Sequence, residues 1–577
     1  MFNNKKQIIL LFLSLITTVM LFSQERDQDT INTDVIDVIK PYTPTVSDAF
    51  KVKETPTLDD TETGAKKEVQ YNIFSFPVAS TFTPAKGKAA VVDKAKKVKL
   101  YDNYASLGVG TYTTIVGEVF LNHAIGRDQS VSAHIAHQSS QGDVEDVLTD
   151  SGFSDSKLNL SYTNRNRDFT WTALGGFQYQ TYNWYGLQQP IFDQTTADGL
   201  DVGHSFYTAH VGGDINFEDA IVNDGSVLFR RFGDDYSSGE NRFKADVNGT
   251  VTIQDLDINT GVFIDYLSGS FDRDYYSPTE LNYGNFQVGV NPKLQLKQDD
   301  LTVDLGLKAV YFNNTEASDS KFFVYPDIAA SYKLVDEILI VFAGVKGGLI
   351  QNNYHDFAQE NPFVSPNLYV VPTDQQYNAF GGLRGKLSSN TSYTISGRYQ
   401  AEKNKTLFIN NDVLATEQPY TYGNSFGVTY DNVNTFSVAG EVNVDVNRNF
   451  TLGLKAEYFT YDVKNEEEAW NLPDIEASLF LDYQIDEHWF AGANLFYVGE
   501  RKDLLFVPSL LAPPTNQVVT LDSYFDANAH VGYHITDRWS AFLKANNIAS
   551  QNYNKWQNTP VQGIQILAGA TYKFDFN

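Results

Sequence analysis

Few residues of this chain have chemistry to offer. Cysteine is absent, which removes thiol catalysis, disulfides, Cys-ligated zinc and a lipoprotein-type anchor. His530 and His534 share one face of an alternating stretch with Asp526 and Asp522. Imidazole and carboxylate are metal-ligand types, but residues four apart on a strand stand about 13 Å apart, too far to share one ion. We read these four as hydrogen-bonding groups on a wet wall. His134 and His137 are three apart and fall on opposite faces of a strand, so they do not form one site. His355-Asp356, in a long connection, offers two members of a Ser-His-acid arrangement, which only spatial convergence could complete. We identify no GxSxG, HExxH or phosphate-binding glycine loop. We expect no catalytic residue, no metal site and no cofactor.

The elements that carry these residues are strands. From Leu521 to Ile535, Leu521, Phe525, Ala527, Ala529, Val531, Tyr533 and Ile535 oppose Asp522, Asp526, Asn528, His530 and His534. That alternation runs about 15 residues, against the usual 5 to 6 of a soluble strand. The last segment repeats it, with Ile564, Ile566, Ala568, Ala570, Tyr572, Phe574 and Phe576 on one face. Mid-chain, Phe436, Val438, Val442, Val444 and Val446 oppose Thr435, Ser437, Glu441, Asn443 and Asp445. A charged face cannot point into lipid, so it lines a lumen. Short polar connectors such as Asp336-Glu337, Asp486-Glu487-His488 and Thr536-Asp537-Arg538 alternate with long ones such as Thr181 to Gly203, Gln351 to Thr373 and Arg501 to Val519. The expected fold is all-β: a transmembrane, antiparallel, up-and-down β-barrel over 101–577 with about 22 strands, in a range of roughly 20 to 24. Short turns and both termini then lie in the periplasm of a Gram-negative cell, and the long loops lie outside. The barrel's first partner is outer-membrane lipid.

Composition agrees with this picture. Aromatic residues make up 14% of the chain, as interfacial girdles require, while a mean hydropathy of −0.31 leaves no helical membrane bundle. A net charge of −28 argues against nucleic-acid partners. Residues 1–23 read as a signal peptide: Lys5 and Lys6, then the apolar run Ile8 to Phe22. Residues 24–100 read as an extended periplasmic segment, a partial plug or partner-binding tail, punctuated by proline and ending in a basic cluster from Lys86 to Lys99. Within it, Val35-Ile36-Asp37-Val38-Ile39 suits addition as a strand to a partner's sheet edge. The same run resembles the TonB box, by which TonB-dependent receptors engage their energy-coupling protein.

The carboxyl end strengthens the resemblance. Tyr524 to Tyr533, the turn Thr536-Asp537-Arg538, Ser540 to Lys544 running into Asn546-Asn547-Ile548, and the closing Gly569-Ala570-Thr571-Tyr572-Lys573-Phe574 look like the end of a TonB-dependent receptor barrel. The resemblance implies that Tyr572, Phe574 and Phe576 form the signal read by the barrel assembly machinery. The segment before the barrel is shorter than the plug of such receptors, so the chain is similar to the plug-less, receptor-like barrels of the Bacteroidota type. Transport or channelling of small solutes is the function expected, with a scaffold subunit of an outer-membrane assembly, bound to outer-membrane or periplasmic subunits, as the alternative. Tyr179, Tyr182, Trp184 and Tyr185 are expected to form an interfacial girdle where a strand leaves the membrane. The acidic runs Asp143 to Asp155 and Asp193 to Asp201 lack the spacing of a calcium loop.

Overall fold

Alternating sequences of this length hide a polar face only by closing on themselves, because a sheet edge left in lipid would strand its backbone N–H and C=O groups. A computed structural model, which describes residues 99–189, 191–253, 256–507 and 515–576, has this closure. The first strands are β1 (Asn103–Gly110), β2 (Ile115–Ala124), β3 (Gln129–Ser140), β4 (Phe153–Arg165), β5 (Phe169–Asn183), β6 (Gly203–Phe217) and β7 (Val222–Asp234). Next come β8 (Gly239–Ile253), β9 (Leu256–Phe271), β10 (Leu281–Gln298), β11 (Leu301–Asn314), β12 (Asp319–Val335), β13 (Leu339–Ile350) and β14 (Thr373–Ser388). Then follow β15 (Thr391–Asn410), β16 (Phe426–Asn447), β17 (Phe450–Val463), β18 (Ile475–Gln484), β19 (Trp489–Val498), β20 (Arg501–Val507) and β21 (Thr515–Leu521). The chain ends with β22 (Tyr524–His534), β23 (Trp539–Asn546), β24 (Asn554–Trp556), β25 (Thr559–Pro560) and β26 (Gln565–Phe574).

Twenty-two of these strands make one antiparallel sheet in which each pairs with its neighbour in sequence. The exceptions are two small hairpins, β20–β21 and β24–β25, which sit in the connections β19–β22 and β23–β26. The seam closes between the first and last barrel strands, in register from Asn103 opposite Phe574 to Gly110 opposite Leu567.

The two faces differ as the sequence alternates. On β16, Phe436 and Val438 are each 45% exposed, while Thr435 and Ser437 between and beside them are 3% and 2% exposed. Aromatic side chains form outward belts: Trp171, Trp489, Tyr533 and Trp539 near the short turns, Tyr179, Tyr377, Tyr399 and Tyr458 towards the long loops. Trp171 and Tyr179 on β5 are eight residues apart, about 26 Å along a strand and so about 20 Å of height at the usual tilt, close to the apolar band of about 25 Å on a barrel wall. Asp299 and Asp336 take left-handed backbone conformations (φ 50° and 37°) in two of the short turns, as tight antiparallel connections demand.

Two regions depart from the sequence reading. The connection Arg501 to Val519, expected as a plain loop, contains the β20–β21 hairpin, paired from Arg501 opposite Leu521 to Val507 opposite Thr515. The strand expected from Leu521 begins only at Tyr524, because Leu521 is already the last residue of that hairpin. The signal peptide, the tail through Val98 and the Val35–Ile39 run lie outside the described residues.

Candidate functional site

The site is the loop end of the barrel, where long connections fold onto one another across the mouth. β15 and β16 run 20 and 22 residues, far beyond what an apolar wall needs. A bulge between Glu402 and Lys405, with Asn404 in the left-handed region (φ 59°), bends this hairpin. The connection at its tip carries Asn424, whose Nδ2 donates to the carbonyl of Trp184 (2.8 Å), and Tyr420, whose ring lies 5.4 Å from the Trp184 ring. Trp184 directly follows β5. Along the consecutive strands from β5 to β15 the ring advances ten places of 22, so these contacts join nearly opposite walls.

The connection from β13 to β14 fills the space between them. Its helix α2 (Tyr354–Glu360) follows α1 (Gln194–Ala197), a single turn in the β5–β6 connection. Asn353 caps α2 through its side chain, which accepts from the Asp356 backbone N–H. Tyr354 and Phe357 then point into an aromatic cluster with Phe206, Phe232 and Phe271 from the lumen faces of β6, β7 and β9. Tyr354 and Phe232 meet edge to face at 5.0 Å, a favoured geometry for ring quadrupoles. Further along, Phe363 and Phe426 exchange backbone contacts, with the Phe426 N–H donating to the Phe363 carbonyl and the Ser365 N–H to that of Phe426.

Polar groups fix the same connection to the wall. The Trp184 indole N–H donates to the Phe363 carbonyl (3.1 Å), and His204 Nε2 donates to that of Pro362 (2.8 Å) while its ring stacks on Trp184 at 3.9 Å. The Tyr354 hydroxyl donates to Asp234 (2.8 Å), and its backbone N–H donates to Glu240 (2.7 Å). Asp356 faces two guanidinium groups, Arg230 at 3.5 Å and Arg242 at 3.6 Å. Partial desolvation at the crowded mouth would raise the Asp356 carboxyl; His355 at 2.8 Å, Arg230 and Asn353 together hold it below the ordinary carboxylate range.

Other connections lock onto this core. The Tyr185 hydroxyl reaches the Pro560 carbonyl (2.9 Å), and the Gln188 side chain reaches that of Phe506 (3.1 Å). Asp503 of β20 is fully buried and accepts from the Asn410 N–H (3.0 Å). Burial pushes its carboxyl up to about 6, against hydrogen bonds from Asn471, Asn410 and Leu504 and the charge of Arg501. Asp431, also fully buried, accepts the backbone N–H groups of Lys464, Asn465 and Glu466 and so pins the β17–β18 connection.

By sequence the chain matches no family model and no curated protein. Solved structures do match. The FrpB iron transporter of Neisseria meningitidis superimposes with a TM-score of 0.63 at 9% identity, covering 82% of each chain. The ferric-catecholate import receptor Fiu of E. coli K12 gives 0.59 at 11%, again over 82% of both chains. The pyoverdine receptor FpvA of Pseudomonas aeruginosa gives 0.59 at 14%, over 83% of this chain and 79% of that one. In fold, the barrel is TonB-dependent receptor-like.

The receptor-like barrel spreads the sequence-selected residues along its wall. Asp526, His530 and His534 do lie on the lumen face of β22, opposite the outward Phe525 and Tyr533. Asp526 accepts from the Tyr553 hydroxyl (3.1 Å), and the His534 ring lies 4.8 Å from Phe490. Asp522 is exposed in the link before the strand. Among the described residues no group of three His or acidic side chains could hold a metal ion. Tyr572 and Phe574 of the last strand and Phe576 just beyond it form a run of ring contacts, continued by Trp539 at 4.6 Å from Tyr572.

The aromatic group Tyr179, Tyr182, Trp184 and Tyr185, which straddles the end of β5, splits. Tyr179 is 43% exposed in the outward belt, as a girdle residue should be, whereas Trp184 is 1% exposed inside the lid. The correction follows from strand length: β5 ends at Asn183, so Trp184 is free to turn inward. His355 and Asp356 do pair, but Asp356 serves the ion cluster described above. Gly423-Asn424-Ser425-Phe426-Gly427 does have the G-x-S-x-G spelling of a nucleophile elbow, which corrects the sequence reading that identified none. Ser425 is fully buried, and its hydroxyl donates to the Tyr420 carbonyl (2.7 Å), so it holds the loop together.

Proposed function

We propose that this chain is an outer-membrane transport barrel for small solutes, with its long loops outside and its termini in the periplasm, gated by the interlocked loops at the outer mouth. The observation that carries this reading is the bridge from Trp184 to Tyr420 and Asn424 between nearly opposite walls. A scaffold would need no closure across its bore, whereas a conduit must be shut at rest. The likeness in fold to iron and siderophore receptors supports the same reading.

Energy coupling would enter through Val35, Ile36, Asp37, Val38 and Ile39, added as a strand to a TonB-like partner. Tyr572, Phe574 and Phe576 would present the strand that the barrel assembly machinery reads. A Val38→Pro change is expected to abolish capture of the partner, and unchanged capture would remove the strand-addition idea.

Single-channel recording tests transport. The full chain is compared with a variant in which a short Gly-Ser linker replaces 354–371, and with one lacking residues 24–99. Rare, small openings in the full chain and large, stable currents in the linker variant are expected. Silence in every form, together with a partner found on gentle purification, would favour a scaffold subunit instead.

A further inference from the structure

Arg230 and Arg242 project from adjacent strands into the lumen beneath α2, and their partners are unequal. Arg242 is held by a close fork to Asp265, with Nε to Oδ1 at 2.9 Å and Nη2 to Oδ2 at 2.6 Å. Arg230 makes one good bond, from Nη2 to Oδ1 of the Asn353 side chain (2.7 Å), and a longer contact to Glu240 at 3.4 Å. Its Nε is buried with no protein acceptor. Both arginines then share Asp356 at 3.5 and 3.6 Å, the longest ion pairs of the cluster.

Asp356 differs from the other two carboxylates. Glu240 and Asp265 have side chains 1% and 7% exposed and belong to the wall, but the Asp356 side chain is 54% exposed and belongs to the lid. The cluster thus contains a solvent-reachable carboxylate that the two guanidinium groups hold only at long range, its short bonds coming from His355 (2.8 Å) and the Asn353 amide (2.6 Å) on the lid itself. Guanidinium recognises carboxylate and phosphate alike through the same fork of N–H donors.

We propose that Arg230 and Arg242 form the recognition site for an anionic solute, a carboxylate or phosphate, which takes the place of Asp356 and thereby releases α2 from the wall. The exchange is one anion for one anion: a carboxylate or dihydrogen phosphate leaves the charge of the cluster unchanged, and hydrogen phosphate adds one negative charge beside the two guanidinium groups. No bond to Glu240 or Asp265 need break. Release of Asp356 also frees Asn353, which holds both Arg230 and the start of α2, so the loss passes directly to the helix that closes the mouth. The proposal rests on the transport reading for its purpose, but its chemistry can be read without any current.

The test is limited proteolysis of the detergent-solubilised full chain with chymotrypsin. The β13–β14 connection holds Phe357, Phe363 and Leu368, all nearly inaccessible while the lid is closed, and cleavage is scored by mass spectrometry at these three and not at Tyr369, which is 59% exposed. Inorganic phosphate is the probe, titrated against chloride at constant ionic strength. Cleavage in the wild-type chain is expected to accelerate with phosphate and to saturate. Asp356→Asn should raise the phosphate-free rate about tenfold, the size of one lost charge-assisted contact, and leave little further response. Asp356→Glu should restore slow, phosphate-responsive cleavage, which excludes simple misfolding. Cleavage in the wild type that ignores phosphate, or Asp356→Asn behaving as wild type, overturns the proposal. A phosphate response in a barrel that never conducts would leave the site standing and sink the transport reading alone.

Discussion

The six tryptophans divide between the two ends of the barrel. Trp171, Trp489 and Trp539 lie near the short turns, the last two 45% and 47% exposed on the outward face, where an amphipathic ring suits the boundary between lipid and water. Trp184, Trp470 and Trp556 lie at the loop end, 1%, 2% and 7% exposed. The same residue type therefore serves as an anchor to membrane at one end and as core at the other. A membrane barrel gains nothing from burying aromatics in its bore unless the bore is meant to be closed there. The loop end behaves as a small globular domain built from connections.

The comparison breaks first at Trp184. Trp184→Ala removes a ring that contacts His204, Tyr236 and Tyr420, together with the bond to Phe363. A loss of about 3 to 5 kcal/mol of lid stability is expected, read as faster hydrogen exchange across 351–372. Trp539→Ala, on the outward belt, should leave that exchange unchanged. Equal effects of the two would mean that the lid is not a separate cooperative unit.

Tyr354→Phe comes next in size. The ring stays in place, but Asp234 loses a donor in a buried setting, at a cost of about 1.5 to 3 kcal/mol in the same measurement.

Asp503 gives a smaller, pH-dependent effect. Its ordinary value is 3.8 and burial raises it to about 6, so the docked β20–β21 hairpin binds more protons than the undocked one. Stability that depends on this group is fully present below about pH 4, falls as pH rises through about 6, and then levels off. Exchange in 501–507 should quicken across that interval, and Asp503→Asn should flatten the profile. Quickening on acidification would contradict the assignment.

Much of the wall was legible because a wall obeys a period of two. Phe436 and Thr435 must face opposite ways, and the short turns at Asp336 and Thr536 fall where polar connectors interrupt that period. The lid was not legible, since its contacts join residues far apart in the chain with no shared periodicity. Trp184 and Phe363 are 179 positions apart, and Tyr185 and Pro560 are 375 apart. Trp184 was therefore placed with the girdle, where local context put it. Ser425 shows the reverse: a motif spelling is local, but only burial reveals that the hydroxyl is spent on its own loop. Asp526, His530 and His534 needed only alternation to be placed, whereas the Arg230, Arg242 and Asp356 cluster needed three elements to meet.

The smallest effect is expected at Trp556, and it sharpens what kind of core the lid is. Trp556 packs against Phe408 at 5.3 Å and Phe426 at 5.6 Å, so its ring contributes as Trp184 does. Its indole N–H, however, is buried without a protein acceptor, whereas those of Trp184 and Trp470 are satisfied by Phe363 and Glu466. Trp556→Phe loses some packing but also removes an unpaired donor, and these oppose each other. A net change within about 1 kcal/mol is expected, against a larger loss for Trp470→Phe, which would take one of two side-chain donors from Glu466 and leave only Thr429. If the two substitutions cost the same, packing alone holds the lid and its polar pairs are incidental. If Trp470→Phe costs more, specific hydrogen bonds set which way the connections fold, as a gate with a defined closed state requires.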